Sequence, residues 1–99
     1  MLKRRPKRRY LSIAQDSESA DLANIIKIRF CELFGTIATE RAAIGVVEQR
    51  ENESITIIKC NLEKLDDVLV AIALIDPPAI TVSMSGSIKQ LRTRTKYFL

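Results

Sequence analysis

The sequence predicts an α+β fold, a two-layer βαββαβ sandwich built on a four-stranded antiparallel sheet with its helices on one face. Three observations predict it. Two long stretches repeat apolar residues at every third and fourth position, the period of an amphipathic helix. Four shorter runs are β-rich or alternate apolar with polar residues, and polar, Gly or Pro segments bound them. The two kinds follow one another as strand, helix, strand, strand, helix, strand. A chain of 99 residues accommodates one such domain. We read it as a basic, flexible N-terminal tail over residues 1–8 and a single domain over residues 9–99 that closes with a basic segment.

The elements follow in order. Residues 1–8 are dominated by Lys and Arg and interrupted by Pro6, so they form neither helix nor strand. Residues 10–14 (YLSIA) alternate in size and polarity as a short strand. Residues 15–18 are a polar loop, and Ser19 or Asp21 is placed to cap a helix. Leu22, Ile25, Ile26, Arg29, Phe30, Leu33 and Phe34 trace one helical face, and Gly35 is placed to stop it. Residues 42–49 and 54–60 are two strands, joined as a hairpin by Arg50, Glu51, Asn52 and Glu53. Asn61 is placed to cap a second helix, whose face runs through Leu62, Leu65, Val68, Leu69, Ile72 and Ile75. Asp76, Pro77 and Pro78 end it. Ile80, Val82 and Met84 then alternate with Thr81, Ser83 and Ser85 as a last strand. Ser87 is set to cap a short basic helix beginning at Ile88.

Right-handed crossovers turn this order into the ferredoxin-like topology, with spatial strand order 4-1-3-2. Strands one and four are then antiparallel neighbours. The start of the first, near Arg9, lies beside the end of the last, near Ser85. Both chain ends therefore leave the same edge of the sheet.

That expectation gives the charge distribution its meaning. Ten Lys/Arg and no acid occupy the two ends, as Lys3, Arg4, Arg5, Lys7, Arg8 and Arg9, then Lys89, Arg92, Arg94 and Lys96. Residues 10–88 hold six Lys/Arg against twelve Asp/Glu, so the formal +4 conceals an acidic body with two cationic tails. Segregation of this kind points to a polyanion, because clustered cations displace counterions from phosphates. Solubility alone is the plainer use of such tails. No apolar run reaches the length needed to span a bilayer, and Gln15, Asp16 and Glu18 interrupt any signal-peptide core. A cytoplasmic chain with no membrane partner is expected, although the run KRRPKRR over residues 3–9 also resembles a nuclear import signal.

The residues argue against catalysis by the protein itself. There is no histidine for acid–base work, and there is no phosphate-binding or dinucleotide glycine fingerprint. Asp66 and Asp67 are consecutive, so they point about 100° apart on a helix, and they favour its positive end rather than a shared metal. Glu48, Glu51 and Glu53 read as solvated hairpin residues. Cys31 and Cys60, without histidine, make no ordinary zinc site and are expected to act as small buried hydrophobes. No catalytic residue, protein-bound metal or cofactor is expected.

The segment VSMSGSIKQLR, residues 82–92, is the sharpest local signal. Gly86 between two serines permits a tight turn. A turn opening a helix presents backbone N–H groups toward an anion. Lys89 and Arg92 share one face at i and i+3. The third strand carries Ile55, Ile57 and Ile58 and no aromatic, which leaves Tyr10 as the one candidate for stacking a base. Phosphate contact is therefore expected over base stacking. Ile58 and Cys60 oppose Ile57, so this strand is apolar on both faces. We expect its helix-free face to be covered by a protein partner, with Ile58 and Cys60 as partner-binding candidates.

RRYLSIA (residues 8–14), TIIKCNLEKLDDVLVAIALI (56–75) and MSGSIKQL (84–91), in that order, resemble the archaeal ribonuclease P protein component 2 family, relatives of the eukaryotic Pop/Rpp small subunits. Members typically carry Arg-Tyr on the first strand, Ile-Ile-Arg/Lys-Cys before the second helix, and Ser-Gly-Thr-Ile-Lys near the end. The matches here are Arg9-Tyr10, Ile57-Ile58-Lys59-Cys60 and Ser85-Gly86-Ser87-Ile88-Lys89. Ser87 replaces the usual Thr and keeps the hydroxyl. The chain also ends sooner after the basic helix than many members do.

The resemblance implies a fold like that of RNA-recognition-motif domains. It also implies the role of a non-catalytic subunit in 5′-end maturation of pre-tRNA, within an endoribonuclease whose RNA is the catalyst and whose Mg2+ is held by that RNA. Its implied partners are the ribonuclease P RNA and protein component 3, in an assembly that includes a homodimer or heterotetramer. The candidate RNA-binding residues are Lys7, Arg8, Arg9, Tyr10, Ser85, Gly86, Ser87, Lys89, Arg92, Arg94 and Lys96. Two alternatives stand beside this reading. One is a ribosomal or other RNA-associated protein. The other is a ferredoxin-like small-molecule-binding regulatory domain or acylphosphatase-type hydrolase, for which the acidic loop bearing Asp16 and Glu18 is unsuited as a phosphate cradle.

Overall fold

The computed structural model describes residues 7–15, 21–50 and 54–98, without the side chains of residues 50 and 95–98. The expected tail residues 1–6, the loop residues 16–20 and the hairpin residues 51–53 lie outside that description. Along the chain run β1 (Arg8–Ala14), α1 (Leu22–Phe34), α2 (Thr36–Ala42), β2 (Gly45–Arg50), β3 (Ile55–Asn61), a 3-10 turn (Leu62–Lys64), α3 (Leu65–Ala73), β4 (Ile80–Ser85) and α4 (Ile88–Phe98). The strands form one antiparallel sheet in the order β2-β3-β1-β4. This is the expected α+β topology, with strands one and four adjacent.

Strand alternation divides the apolar residues between two cores. Leu11 and Ile13 of β1 and Ile58 and Cys60 of β3 pack with Leu22, Ile26 and Phe30 of α1 and Val68, Ala71 and Ile72 of α3. Ile55 and Ile57 of β3 point the other way, onto Leu91 of α4, with Tyr10, Ala14, Val47 and Val82 around them. The third strand is thus buried on both faces, as its composition predicts. The cover on the face away from α1 and α3 is the chain's own C-terminal helix rather than another protein. Ile58 and Cys60, expected to meet a partner, are 0% and 1% exposed inside the main core. They offer no surface, because antiparallel pairing sets Ile58 beside Leu11 and both lie beneath the helices.

The helix boundaries have local causes. Asp21 caps α1, its Oδ1 accepting the Asn24 N–H at 3.3 Å. Gly35, with φ of 90°, closes it and donates to the Cys31 carbonyl at 2.8 Å. The chain does not pass straight into a strand from there. It makes α2, because both the N–H and the Oγ1 of Thr39 bond the Gly35 carbonyl, at 3.1 and 2.8 Å. Ala43, in the left-handed conformation, ends α2 and delays β2 to Gly45. Sequence periodicity misses α2 because its one fully buried residue is Ala42.

Asn61 does not cap the second long helix. It is the last residue of β3, and its Nδ2 donates to the Arg41 carbonyl at 2.7 Å, tying the end of α2 to the sheet. The helix is instead entered through the 3-10 turn, and Asp66 and Asp67 occupy the first turn of α3, where the helix dipole favours them. β1 begins at Arg8, so the last residue of the expected tail belongs to the sheet. The Lys7 carbonyl, just before it, accepts the Leu62 N–H at 2.7 Å.

Both edge strands are irregular. The β1–β4 register shifts between Ser12 and Ile13, passing over Val82, and the β2–β3 register shifts between Val46 and Glu48, passing over Val47. The first bulge defeats the expected alternation of Ile80, Val82 and Met84. Met84 pairs with Leu11, on the α1–α3 face, whereas Val82 packs toward α4. Bulges at sheet edges also discourage pairing with another chain.

Candidate nucleic-acid interface

The sheet register assembles the site. Tyr10 of β1 is paired with Ser85 of β4 on one side and Lys59 of β3 on the other, and Lys59 is paired with Gly45 of β2. This row crosses all four strands at the end of the sheet from which α4 departs. Gly45 makes room for the Lys59 side chain, since a Cβ there would meet Lys59 Cε at 3.1 Å. Lys59 is a cation of the site that sequence reasoning passes over. The signal that could have found it is its place in the antiparallel register opposite Tyr10.

Alternation sends Arg8 and Arg9 to opposite faces of the sheet. Arg9, paired with Cys60 on the α1–α3 side, returns to the site around the sheet edge. Its guanidinium lies over Gly86, where a Cβ would stand 3.0 Å from Arg9 Nη1, and that nitrogen donates to the Arg8 carbonyl at 2.9 Å. Gly86 thus leaves room for that guanidinium, but its φ is not positive, so the turn does not itself demand the glycine that the sequence suggests. On the other side of Arg9, burial pushes the Cys60 thiol up to about 11, against the lowering influence of the Arg9 charge. A thiol held protonated in this way is no nucleophile at neutral pH.

The turn into α4 is built from the two serines. Ser85 Oγ accepts the Ser87 N–H at 3.2 Å and lies 3.2 Å from Gln90 Oε1, to which its hydroxyl donates. Ser87 Oγ accepts the Gln90 N–H at 3.5 Å, the geometry of a helix cap. From there α4 crosses the sheet. Leu91 is fully buried against Ile55 and Ile57. Arg92 Nε reaches Glu48 Oε2 of β2 at 3.6 Å, and Arg94 Nη1 donates to the Met84 carbonyl of β4 at 2.9 Å. Lys89 stands exposed at the start of the helix, as do Lys7 and Arg8 at the start of β1. Lys96 lies on α4, but its side chain is outside the described residues.

The structure thus brings Arg8, Arg9, Tyr10, Ser85, Gly86, Ser87, Lys89 and Lys59 to one end of the sheet and lays Arg92 and Arg94 across its face. Chemically this is a cationic surface, with no aromatic platform for bases among the described side chains. Tyr10 packs against the cluster under α4, and α4 occupies the face on which single-strand readers of this fold stack bases. Among the described residues, no three His, Cys, Asp or Glu side chains converge as metal ligands. Ile58 and Cys60 take no part in the surface.

No curated protein matches the chain. A family model does, over residues 3–96, which takes in every described strand and nearly all of α4. The chain belongs to the Rpp14/Pop5 family of ribonuclease P protein subunits.

Proposed function

We propose that the chain is a non-catalytic subunit that binds and stabilises the catalytic RNA of ribonuclease P for 5′-end maturation of pre-tRNA. The observation that carries this reading is the antiparallel β1–β4 pairing, which sets Arg8 and Arg9 beside the Ser85–Gly86–Ser87 turn and the basic helix α4. Two cationic segments at opposite ends of the sequence become one surface. The RNA backbone is its ligand, and contacts of this type fix position without reading sequence. Protein component 3 is the proposed protein partner, Mg2+ enters through the RNA, and the setting is cytoplasmic.

Titration of ribonuclease P RNA over several salt concentrations tests the reading. Lys89→Ala with Arg92→Ala should weaken binding. It should also flatten the salt dependence by roughly 0.7–0.9 log unit per log unit of salt for each phosphate no longer neutralised. Unchanged affinity and slope in the folded variant place the RNA elsewhere. Equal binding of unrelated structured RNAs, with no ribonuclease P RNA preferred in competition, favours a general RNA-associated protein instead.

A further inference from the structure

One acid stands within the cationic surface. Glu48 is the one Asp or Glu on the four strands, and it faces α4 because β2 bulges. Val46 is paired with Ile58, on the α1–α3 side. With no register shift, Val47 would pair with Ile57 and Glu48 with Thr56, which alternation puts on the α1–α3 side with Ile58. The shift instead pairs Glu48 with Ile57, while Val47 also packs into the cluster under α4. Re-aiming a side chain is a known use of a bulge at a sheet edge. The side chain re-aimed here meets α4, with Glu48 Oε2 3.6 Å from Arg92 Nε. Among the described residues, the other arginines of the surface have neutral acceptors. Arg94 donates to the Met84 carbonyl and Arg9 to the Arg8 carbonyl. The Arg92–Glu48 pair is readily exchanged. Its separation exceeds that of a charge-assisted hydrogen bond, and its two side chains are 50% and 34% exposed. A pair of this kind adds little to stability. It does set an oxyanion against a guanidinium, and phosphate is recognised by that same fork.

We infer that Glu48 is an internal competitor of the RNA: its carboxylate occupies, on Arg92, the place that an RNA phosphate takes in the complex. The inference rests on the reading that the α4 surface binds the RNA backbone, and it assigns to that surface a residue that lowers its affinity. Leu91 keeps α4 on the sheet, so the exchange needs a turn of the Arg92 side chain and no movement of the helix. Two effects then oppose the incoming phosphate. The Arg92–Glu48 pair has to open, and the released carboxylate faces the phosphate as a like charge. The surface therefore holds RNA less tightly than its cations alone would. The sign of the effect separates this role from a supporting one. Neutralising a competitor tightens RNA binding, whereas neutralising a prop for Arg92 or α4 weakens it.

The test is a double-mutant cycle on the full chain, titrated with ribonuclease P RNA at fixed salt, using Glu48→Gln, Arg92→Ala and the two changes combined. Glu48→Gln keeps the shape of the side chain and removes its charge. It should tighten binding about two- to fivefold, the range spanned by exposed ion pairs. Arg92→Ala should weaken binding, and in its background the gain from Glu48→Gln should shrink, because no pair is left to open. Far-UV helicity should stay at the wild-type level, since Leu91 still docks α4. An equal gain in both backgrounds overturns the inference, because Glu48 would then act on the RNA by its charge alone and not through Arg92. Unchanged or weaker binding by Glu48→Gln overturns it, as does a loss of helicity, which would make the pair a strut of α4. A wild-type chain that binds no ribonuclease P RNA overturns the RNA reading and this inference with it. A wild-type chain that binds the RNA, with an equal gain in both backgrounds, overturns the exchange alone.

Discussion

Leu91→Ala is the perturbation that most sharply separates α4 as part of the folded domain from α4 as an appended basic tail. Leu91 is the one buried side chain among the described residues of α4, and it sits on Ile55 and Ile57. Truncating a buried leucine ordinarily costs about 2–5 kcal/mol. Among the described side chains of α4, those of Arg92 and Arg94 add polar contacts to it. The Arg92–Glu48 pair, at 3.6 Å with the Arg92 side chain half exposed, contributes about 0–1 kcal/mol. The Arg94 bond to the Met84 carbonyl contributes about 1 kcal/mol. Without the Leu91 side chain, undocking α4 costs less than keeping a cavity beneath it, so the destabilisation saturates near the docking energy. We expect about 2–3 kcal/mol, the lower part of the range for such truncations. The 11-residue α4 is too short to persist alone in water, so far-UV helicity should fall as well. Urea unfolding should show an earlier midpoint and a smaller slope, because Ile55 and Ile57 would already be exposed in the native state. Hydrogen exchange should quicken in β3, and RNA affinity should fall with the misplaced cations. An unchanged midpoint together with unchanged helicity would refute the reasoning.

Three further outcomes follow from the packing. Ile58→Asp puts an unpaired carboxylate at a site with no exposure, so the chain should lose its cooperative thermal transition; a folded variant would contradict the placement of Ile58 in the main core. The Cys60 thiol, raised from 9.0 to about 11, binds its proton more tightly in the fold than in the unfolded chain. Its contribution to stability is therefore fully present below pH 9 and lost as the pH rises toward 11. Cys60→Ala should flatten that part of the stability profile in denaturant titrations, and an identical profile would show that Cys60 does not cause the slope. Gly86→Ala should cost little stability, because its Cβ meets only the movable Arg9 guanidinium. It should nonetheless lower RNA affinity, and an unaltered titration would remove Arg9 from the phosphate surface.

Much of the fold is legible in the sequence, and the exceptions share a physical cause. Strands and the two long helices announce themselves through apolar period, and the 4-1-3-2 order follows from crossover handedness, so the meeting of the two basic ends can be anticipated. The Ser87 cap and the Asp21 cap can be read from residue type. What escapes depends on neighbours distant in sequence. α2 exists because Thr39 bonds Gly35, with almost no buried face to signal it. Asn61 looks like a helix cap, but its amide bonds the Arg41 carbonyl twenty positions away. The bulge at Val82 moves Met84 to the opposite face without leaving a mark on the alternating pattern. The apolar back of β3 is visible in its composition, yet the element that covers it is not. A helix with a single buried leucine among seven described side chains reads as a polar tail until its position over Ile55 and Ile57 is known.

The most direct measurement is reconstituted pre-tRNA cleavage at fixed, limiting Mg2+ with ribonuclease P RNA and component 3, with and without this chain. The account predicts faster cleavage when the chain is present, a smaller gain with Lys89→Ala and Arg92→Ala combined, and no cleavage by the chain without RNA. Cleavage by the RNA-free protein that disappears when its acids are changed, or a rate indifferent to the chain's presence, would contradict it.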